Sequence, residues 1–209
     1  MTAKTKKHAD PALAETRRNQ VLCAAAECFK RKGYHGAGMA EISKTAGMSA
    51  GHIYNYFASK EAIIESIIQR DMEEMISLFQ EFGDKPGDLT TILIDSLDEG
   101  VERHTNTDCK ALHLEMLSEA ARNDKIASLL QQSDTHARNE MRKLLIGERG
   151  SLQAASTREV DARIEVMFSM MGGLLLRRVL NPALDKTGIL IALRPAMKTL
   201  LLPFDDKEK

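Results

Sequence analysis

The sequence predicts an all-α protein of about nine helices, three short ones at the N-terminal end followed by six longer ones. Three observations carry this. The 209 residues include no Trp and only 4% aromatics, yet 43% are hydrophobic, ample for a packed core. Strong helix formers (Ala, Leu, Met, Glu, Lys, Arg) are abundant, while the period-two alternation of half-buried strands is scarce. Apolar residues instead recur at helical spacing between short segments containing Gly, Pro, Ser and Asn.

Each element has its own signal. Residues 1–10 are polar and basic, and Pro11 suits the first turn of a helix. Val21, Leu22, Ala25, Cys28 and Phe29 then form an amphipathic stripe, and Gly33 can end the helix with a left-handed cap. Tyr34–Gly38 reads as a loop, followed by a short helix over 39–46 and the tight turn Gly47-Met48-Ser49. Ser49 can cap a helix over 50–57, and Ser59 a longer one over about 60–82. Pro86 and Gly87 make a break, after which helices are expected at about 88–104, 108–121 and 124–146. Ser156 and Glu159 match a capping box opening a helix to about 180, which Asn181-Pro182 stops. The last helix runs over about 186–202, with Pro195 expected to kink it.

Charge divides the chain. Residues 1–70 hold eleven basic and six acidic side chains, a net +5; the remaining 139 hold 18 basic and 24 acidic, a net −6. A basic end on an acidic body points to a polyanion partner for that end. No apolar run approaches the roughly 18–20 residues needed to span a bilayer. The N-terminus has charge without a following apolar stretch, so no secretory signal is read there. Three cysteines, an odd number, fit no disulfide framework and suit a reducing cytosol. A cytoplasmic protein with no membrane partner is expected.

The basic end contains GMAEISKTAGMSAGHIYNYFASK from Gly38 to Lys60. A short helix, a Gly-containing turn and a second short helix make a helix-turn-helix pattern, whose second helix enters the major groove with its N-terminal residues at base edges. Ala50 and Gly51 are small enough for close approach, and His52, Asn55 and Tyr56 project from the exposed side. Ile53 and Phe57 turn inward against Ile42. Ser49 caps the helix, while Lys44, Tyr54, Tyr56 and Lys60 are candidate phosphate contacts. A Gly turn between two short helices also occurs in ordinary helix bundles, so packing alone is the competing reading.

GYHGAGMAEISKTAGMSAGHIYNYFASKEAII resembles the DNA-binding domain of the TetR (tetracycline repressor-like) family of bacterial transcriptional regulators. The family pattern has a first helix ending in Phe and Gly, then Ile-Ala-x-x-Ala-Gly-Val-Ser, then Tyr-x-x-Phe-x-x-Lys-Glu. Here these read Phe29 and Gly33, Ile42 to Ser49, and Tyr54 to Glu61. The resemblance covers about residues 15–65 and implies a helix-turn-helix domain over 11–60, with its motif at about 37–56. It implies a helical effector-binding and dimerisation domain over 61–204. Two departures stand out. Gly38 replaces the Thr or Ser that commonly caps the first motif helix, and offers no hydroxyl to a phosphate. His52 stands where a small or hydroxyl residue is common; it can read a base edge, touch phosphate or simply be exposed.

The body contains one uncharged stretch, VMFSMMGGLLL from Val166 to Leu176. A helix apolar all round is buried on both sides, and Gly172 and Gly173 cost helix stability unless another helix approaches closely. The resemblance implies a homodimer in which the last two long helices form a four-helix bundle. This puts Met167, Met171, Leu174, Leu175, Ile189, Leu193 and Met197 at the interface, the alternative being intrachain core. Eleven methionines suggest an adaptable interior. The family habit of an unknown small-molecule effector in the body makes Met75, Phe79, Leu97, His113, Met116, Met141, Phe168 and Met170 candidate pocket residues, the alternative again being plain core.

His104, Cys109 and His113 invite a metal reading, but a tetrahedral site needs further ligands, so no metal and no cofactor is expected. Cys23 and Cys28 read as structural thiols. The leading expectation is a DNA-binding repressor, dimeric on a double-stranded pseudo-palindromic operator and released by its effector, without catalysis. The rivals are a helical-bundle enzyme, for which no HExxH, GxSxG or phosphate-loop motif is present, and a purely structural dimerisation protein.

Overall fold

The computed structural model describes residues 11–203, and the side chains of all of these but 107–110. Its helices are α1 (Pro11–Gly36), α2 (Met39–Ala46), α3 (Ala50–Tyr54), α4 (Lys60–Asp84), α5 (Leu89–Asp95), α6 (Leu97–Thr105), α7 (Thr107–Ala120), α8 (Asp124–Ile146), α9 (Thr157–Leu180) and α10 (Lys186–Leu201). No strand occurs among the described residues. The expected all-α architecture is present, with one expected element divided: the helix read over 88–104 breaks at Ser96. There the Ser96 hydroxyl donates to the Leu93 carbonyl at 2.8 Å, a local bond that competes with continuing the helix. None of the described helices is long and apolar enough to cross a membrane.

Helix starts follow the capping chemistry. Ser49, Ser59, Asn123, Ser156 and Asp185 each accept a hydrogen bond from a backbone N–H two or three residues on, satisfying a donor the first turn leaves orphaned. Gly38 stands at the N-cap of α2 and supplies no such bond. Gly33 interrupts α1 differently from the expected cap. Its φ of 73° is positive, but its ψ of 167° turns the chain outward rather than closing a left-handed cap. That φ favours glycine, and a Cβ at this position would also press on Glu115 Oε1 at 3.0 Å. α10 runs on through Pro195.

Two apolar cores result. The first joins Val21, Ala25, Cys28 and Phe29 of α1 to Ile42, Ile53 and Phe57 of the motif and to Ile63, Ile64, Ile67 and Ile68 of α4. It also takes Leu112 and Met116 from α7 and Ile126 from α8. The N-terminal unit is thus closed by the α7–α8 corner, not by its own sequence segment alone. The second core gathers the far ends of α4 and α8 with α5, α6, α9 and α10, around Phe79, Leu93, Leu145, Val160, Ile164 and Leu193. In it the buried Arg163 guanidinium donates to the Leu200 and Leu202 carbonyls and, at 2.6 Å, to Glu159. This satisfies the C-terminal carbonyls of α10 and ties α9 to it.

Candidate nucleic-acid interface

α1 holds the motif from behind. Its Gln20 side-chain amide donates to the Ala46 carbonyl at the end of α2 (2.7 Å), and its Arg18 guanidinium donates to the Tyr56 carbonyl just past α3 (3.1 Å). The same guanidinium lies 4.6 Å over the Phe57 ring. Cys28, fully buried, bonds Thr45 Oγ1 at 3.2 Å, which gives that thiol a structural role. Gly47, at φ 63°, ends α2, and the Ser43 hydroxyl donates across the turn to the Met48 carbonyl. α3 is shorter than expected, stopping at Tyr54. The amides of Tyr56 and Phe57 both converge on the Ile53 carbonyl, which tightens the last turn and seats Phe57 in the core.

With Ile53 and Phe57 turned inward, the outer surface carries Lys44, Ser49, Ala50, Gly51, His52, Tyr54 and Asn55, all exposed, with Tyr56 half-buried beside them. Ser49 accepts from the His52 amide at 3.2 Å. The His52 and Tyr56 rings stack, with centroids 5.4 Å apart and planes 17° from parallel, and His52 Nε2 lies 3.2 Å from Tyr56 Oη. Eight of the nine expected contact residues therefore keep exposed surface around the motif. Lys60, the ninth, is engaged elsewhere: its ammonium donates to the Tyr34 carbonyl at 2.7 Å and sits 4.2 Å over the Tyr34 ring.

The head's basic charge is only partly available to a ligand. Arg31 and Lys32 both pair with Glu41, at 2.8 and 2.9 Å. Lys32, then Arg31, hold the Glu41 carboxyl below its ordinary range. The basic residues of the 1–10 segment lie outside the described residues.

A polar seam behind this face was not anticipated. The Tyr34 amide donates to Glu115 Oε1 at 2.6 Å, and Glu119, almost fully buried, places Oε2 2.9 Å from His35 Nε2 and 2.8 Å from Arg122 Nη2. Asn123 donates to Glu119 Oε1 at 3.2 Å. Tyr34 in turn donates to Glu61 at 3.1 Å. Burial, then that bond, pushes the Tyr34 phenol well above its usual range. Glu61 is held low by its own backbone N–H and by Ser59. The partners stand 81 and 84 residues apart in sequence, so no local pattern could have signalled them.

The expected pocket residues are scattered. Phe79 stacks on Phe168 at 6.5 Å, with Leu97 and Met141 buried and Met170 half-buried in the second core. Met116 lies in the first core, whereas Met75 and His113 are at the surface. Of the eight, Phe79 alone borders an open groove in the body. That groove, of about 470 Å³, lies between α4 and α8 and is lined by Phe79, Gln80, Gly83, Asp84, Glu140, Lys143 and Leu144. Cys109, one of the three residues of the metal reading, lies outside the described side chains. Among the described residues no cluster of three metal-ligating side chains occurs.

The expected interface residues face largely into the chain's own core. Met167, Leu174, Leu175, Leu193 and Met197 are buried within the chain, and Met171 and Ile189 are half-buried against its core. The apolar side chains left in solvent on the same helices are Val166, Leu176, Val179 and Leu180 of α9 and Ile191 of α10.

Comparison with known proteins agrees with this arrangement. Residues 21–67, spanning the motif and its support, match the family model described as bacterial regulatory proteins, tetR family. Over this segment the chain is similar to TetR-family regulators. The transcriptional regulator UidR of Escherichia coli strain K12 is 33% identical over 121 residues, 56% of this chain and 59% of UidR. The match thus spans about three fifths of that curated relative. The transcriptional repressor AcnR of Corynebacterium jeikeium is 25% identical over 169 residues, covering 81% of this chain and 84% of AcnR. In fold, Salmonella enterica GusR superposes with a TM-score of 0.73 at 24% identity, over 94% of this chain and 99% of GusR. UidR and AcnR are helix-turn-helix regulators rather than enzymes.

Proposed function

We propose that this protein is a homodimeric, sequence-specific transcriptional repressor that leaves a pseudo-palindromic operator when a small molecule occupies its body. The observation that carries the reading is the exposed surface of Lys44, Ser49, Ala50, Gly51, His52, Tyr54, Asn55 and Tyr56 around a motif tied to α1 by the bonds from Gln20 and Arg18. Small residues admit the helix to the groove, polar edges meet bases, and Lys44 and the tyrosines meet phosphates. The match to AcnR, which extends across most of both chains, supports repression as the direction.

One such head makes few contacts, so two are needed on one duplex. Val166, Leu176 and Leu180 fall at i, i+10 and i+14, one stripe of α9, and a Cβ added at Gly172 or Gly173 would meet nothing within 4 Å in the chain. That open space, flanked by exposed apolar side chains, suits close approach of the same helices from a second copy, with Ile191 of α10 alongside. The two recognition helices then read half-sites about 34–36 Å apart. For the effector, the α4–α8 groove is the favoured site, since α4 carries the head at its other end. Phe79 and Leu144 beside Gln80, Glu140 and Lys143 suit a molecule with both apolar and polar parts.

Selection of bound duplexes from a random pool tests the reading. The expected product is a palindrome with half-sites one helical turn apart. Its affinity should fall about a thousandfold between 50 and 200 mM salt if six or more phosphates are contacted. Recovery of no preferred sequence at low salt would overturn it.

A further inference from the structure

We propose that His52 and Tyr56 act as one reading unit, in which Tyr56 fixes the proton on His52 Nε2 and thereby leaves His52 Nδ1 as a hydrogen-bond acceptor for an amino-bearing base, adenine or cytosine. This deepens the operator reading and rests on α3 entering the major groove.

The geometry makes the two side chains a single plate. They lie four residues apart on the exposed face, stacked at 5.4 Å and 17°, with His52 Nε2 3.2 Å from Tyr56 Oη. Tyr56 is itself positioned, half-buried against the first core with its carbonyl held by Arg18. Stacking limits rotation of the imidazole, and the bond to Tyr56 uses one of its two nitrogens. The other, Nδ1, makes no hydrogen bond to the protein among the described residues.

Counting protons decides what Nδ1 offers. A phenol has one proton and lone pairs, whereas a phosphate oxygen only accepts. When Tyr56 donates its proton to the DNA backbone, it has only a lone pair to turn toward His52. The bond between them then requires His52 Nε2 to carry the hydrogen. In a neutral imidazole that leaves Nδ1 bare, an acceptor. In the major groove, adenine and cytosine present amino donors, while the O6 and N7 of guanine and the O4 of thymine are acceptors that a bare Nδ1 repels. Phosphate contact by Tyr56 is thereby converted into base choice by His52. Tyr56 acts here as a positioning residue, and His52 is the specificity-determining one.

The experiment is random-pool selection with the full chain at pH 8, above the ordinary titration range of histidine, comparing wild type, His52→Ala and Tyr56→Phe. Wild type should favour adenine or cytosine about fivefold or more at one symmetric pair of positions, the worth of a single hydrogen bond. His52→Ala should level that pair and leave the others unchanged. Tyr56→Phe keeps the ring and the stack but frees the imidazole proton to sit on either nitrogen. That pair should then admit guanine and thymine as well, while affinity falls alike on every site. Unchanged thermal melting of both variants would show that neither acts through folding. The proposal is overturned if His52→Ala leaves every position as it was, if the His52-dependent position prefers guanine or thymine, or if Tyr56→Phe keeps the adenine or cytosine preference intact. Failure of wild type to select any sequence would instead remove the operator reading on which it rests.

Discussion

The two ends of the molecule finish their apolar surfaces in different ways. Around the head, the first core is buried, with Leu13, Tyr54 and Leu117 exposed outside it, and the chain recruits Leu112, Met116 and Ile126 from α7 and α8 to close it. In the body, α9 and α10 bury one side against the second core and leave Val166, Leu176, Val179, Leu180 and Ile191 in water. A closed core needs nothing further, and its surface is free to carry polar readers. An open one asks for more chain. On the proposed reading, the difference gives recognition to the head and assembly to the body.

The strongest way to break the comparison is to open the head. Phe29 is fully buried between α1, the motif and α4, so Phe29→Ala removes a large volume from a core with no slack. The expected loss is about 3–5 kcal/mol. Thermal unfolding should register it as a fall of roughly 10 °C for a chain of this size. A melting temperature within about 2 °C of wild type would mean that the head is not closed in the sense argued.

The matching operation on the body should spare the monomer. Leu176→Glu with Ile191→Glu places charge where apolar side chains already meet water, so each subunit should fold as before. The dimer, however, would have to bury four carboxylates, and its affinity should weaken by more than about a hundredfold. Light scattering across a concentration series measures this. A double variant that remains dimeric at wild-type concentrations would move the interface elsewhere.

These two tests also mark where sequence ran out. Caps and breaks are local, so Ser49, Ser59, Ser156 and Asn181-Pro182 announce their helix ends within a few residues, and the motif residues follow from them. Helical phase is local only when polar residues mark one side. From Val166 to Leu176 every residue but Ser169 and the two glycines is apolar, so nothing in the run distinguishes Met167, which faces the core, from Val166, which does not. Only packing against α6 and α10 settles it. The seam is further out of reach: Glu115 and Glu119 sit in an ordinary amphipathic stretch, and their meaning comes from a turn 81 and 84 residues away.

That seam joins the two regions and offers a smaller effect. Glu115 accepts the Tyr34 amide at 2.6 Å with a charge that strengthens the bond. Glu115→Gln keeps the shape and removes the charge, at an expected cost of about 1–2 kcal/mol. If the head is held to α7 by this contact, hydrogen exchange should quicken around Tyr34 and His35 while the second core is unaffected. Equal loosening of both cores would show that they unfold as one unit and that the contrast is only geometric.

Acid should separate the regions least. Among the described residues, the head has two carboxyls held below their ordinary range: Glu41 by Lys32 and Arg31, and Glu61 by its own backbone N–H and Ser59. The body has one, Asp88 at the start of α5, held by the Thr91 amide. A carboxyl with a lowered folded value stabilises the fold above its unfolded value, near pH 4, and loses that contribution as pH falls through the folded value. Glu61 and Asp88 are largely in water, so solvent screening keeps the effect of Glu61 below about 1 kcal/mol. Melting temperature measured from pH 6 to pH 3 should therefore decline slightly less steeply in Glu61→Gln than in wild type. Amide exchange at pH 3.5 should quicken around Tyr34, whose hydroxyl donates to Glu61, before it does so in α9. Faster exchange in α9 first would reverse the order and make the body, with its uncovered face, the weaker of the two.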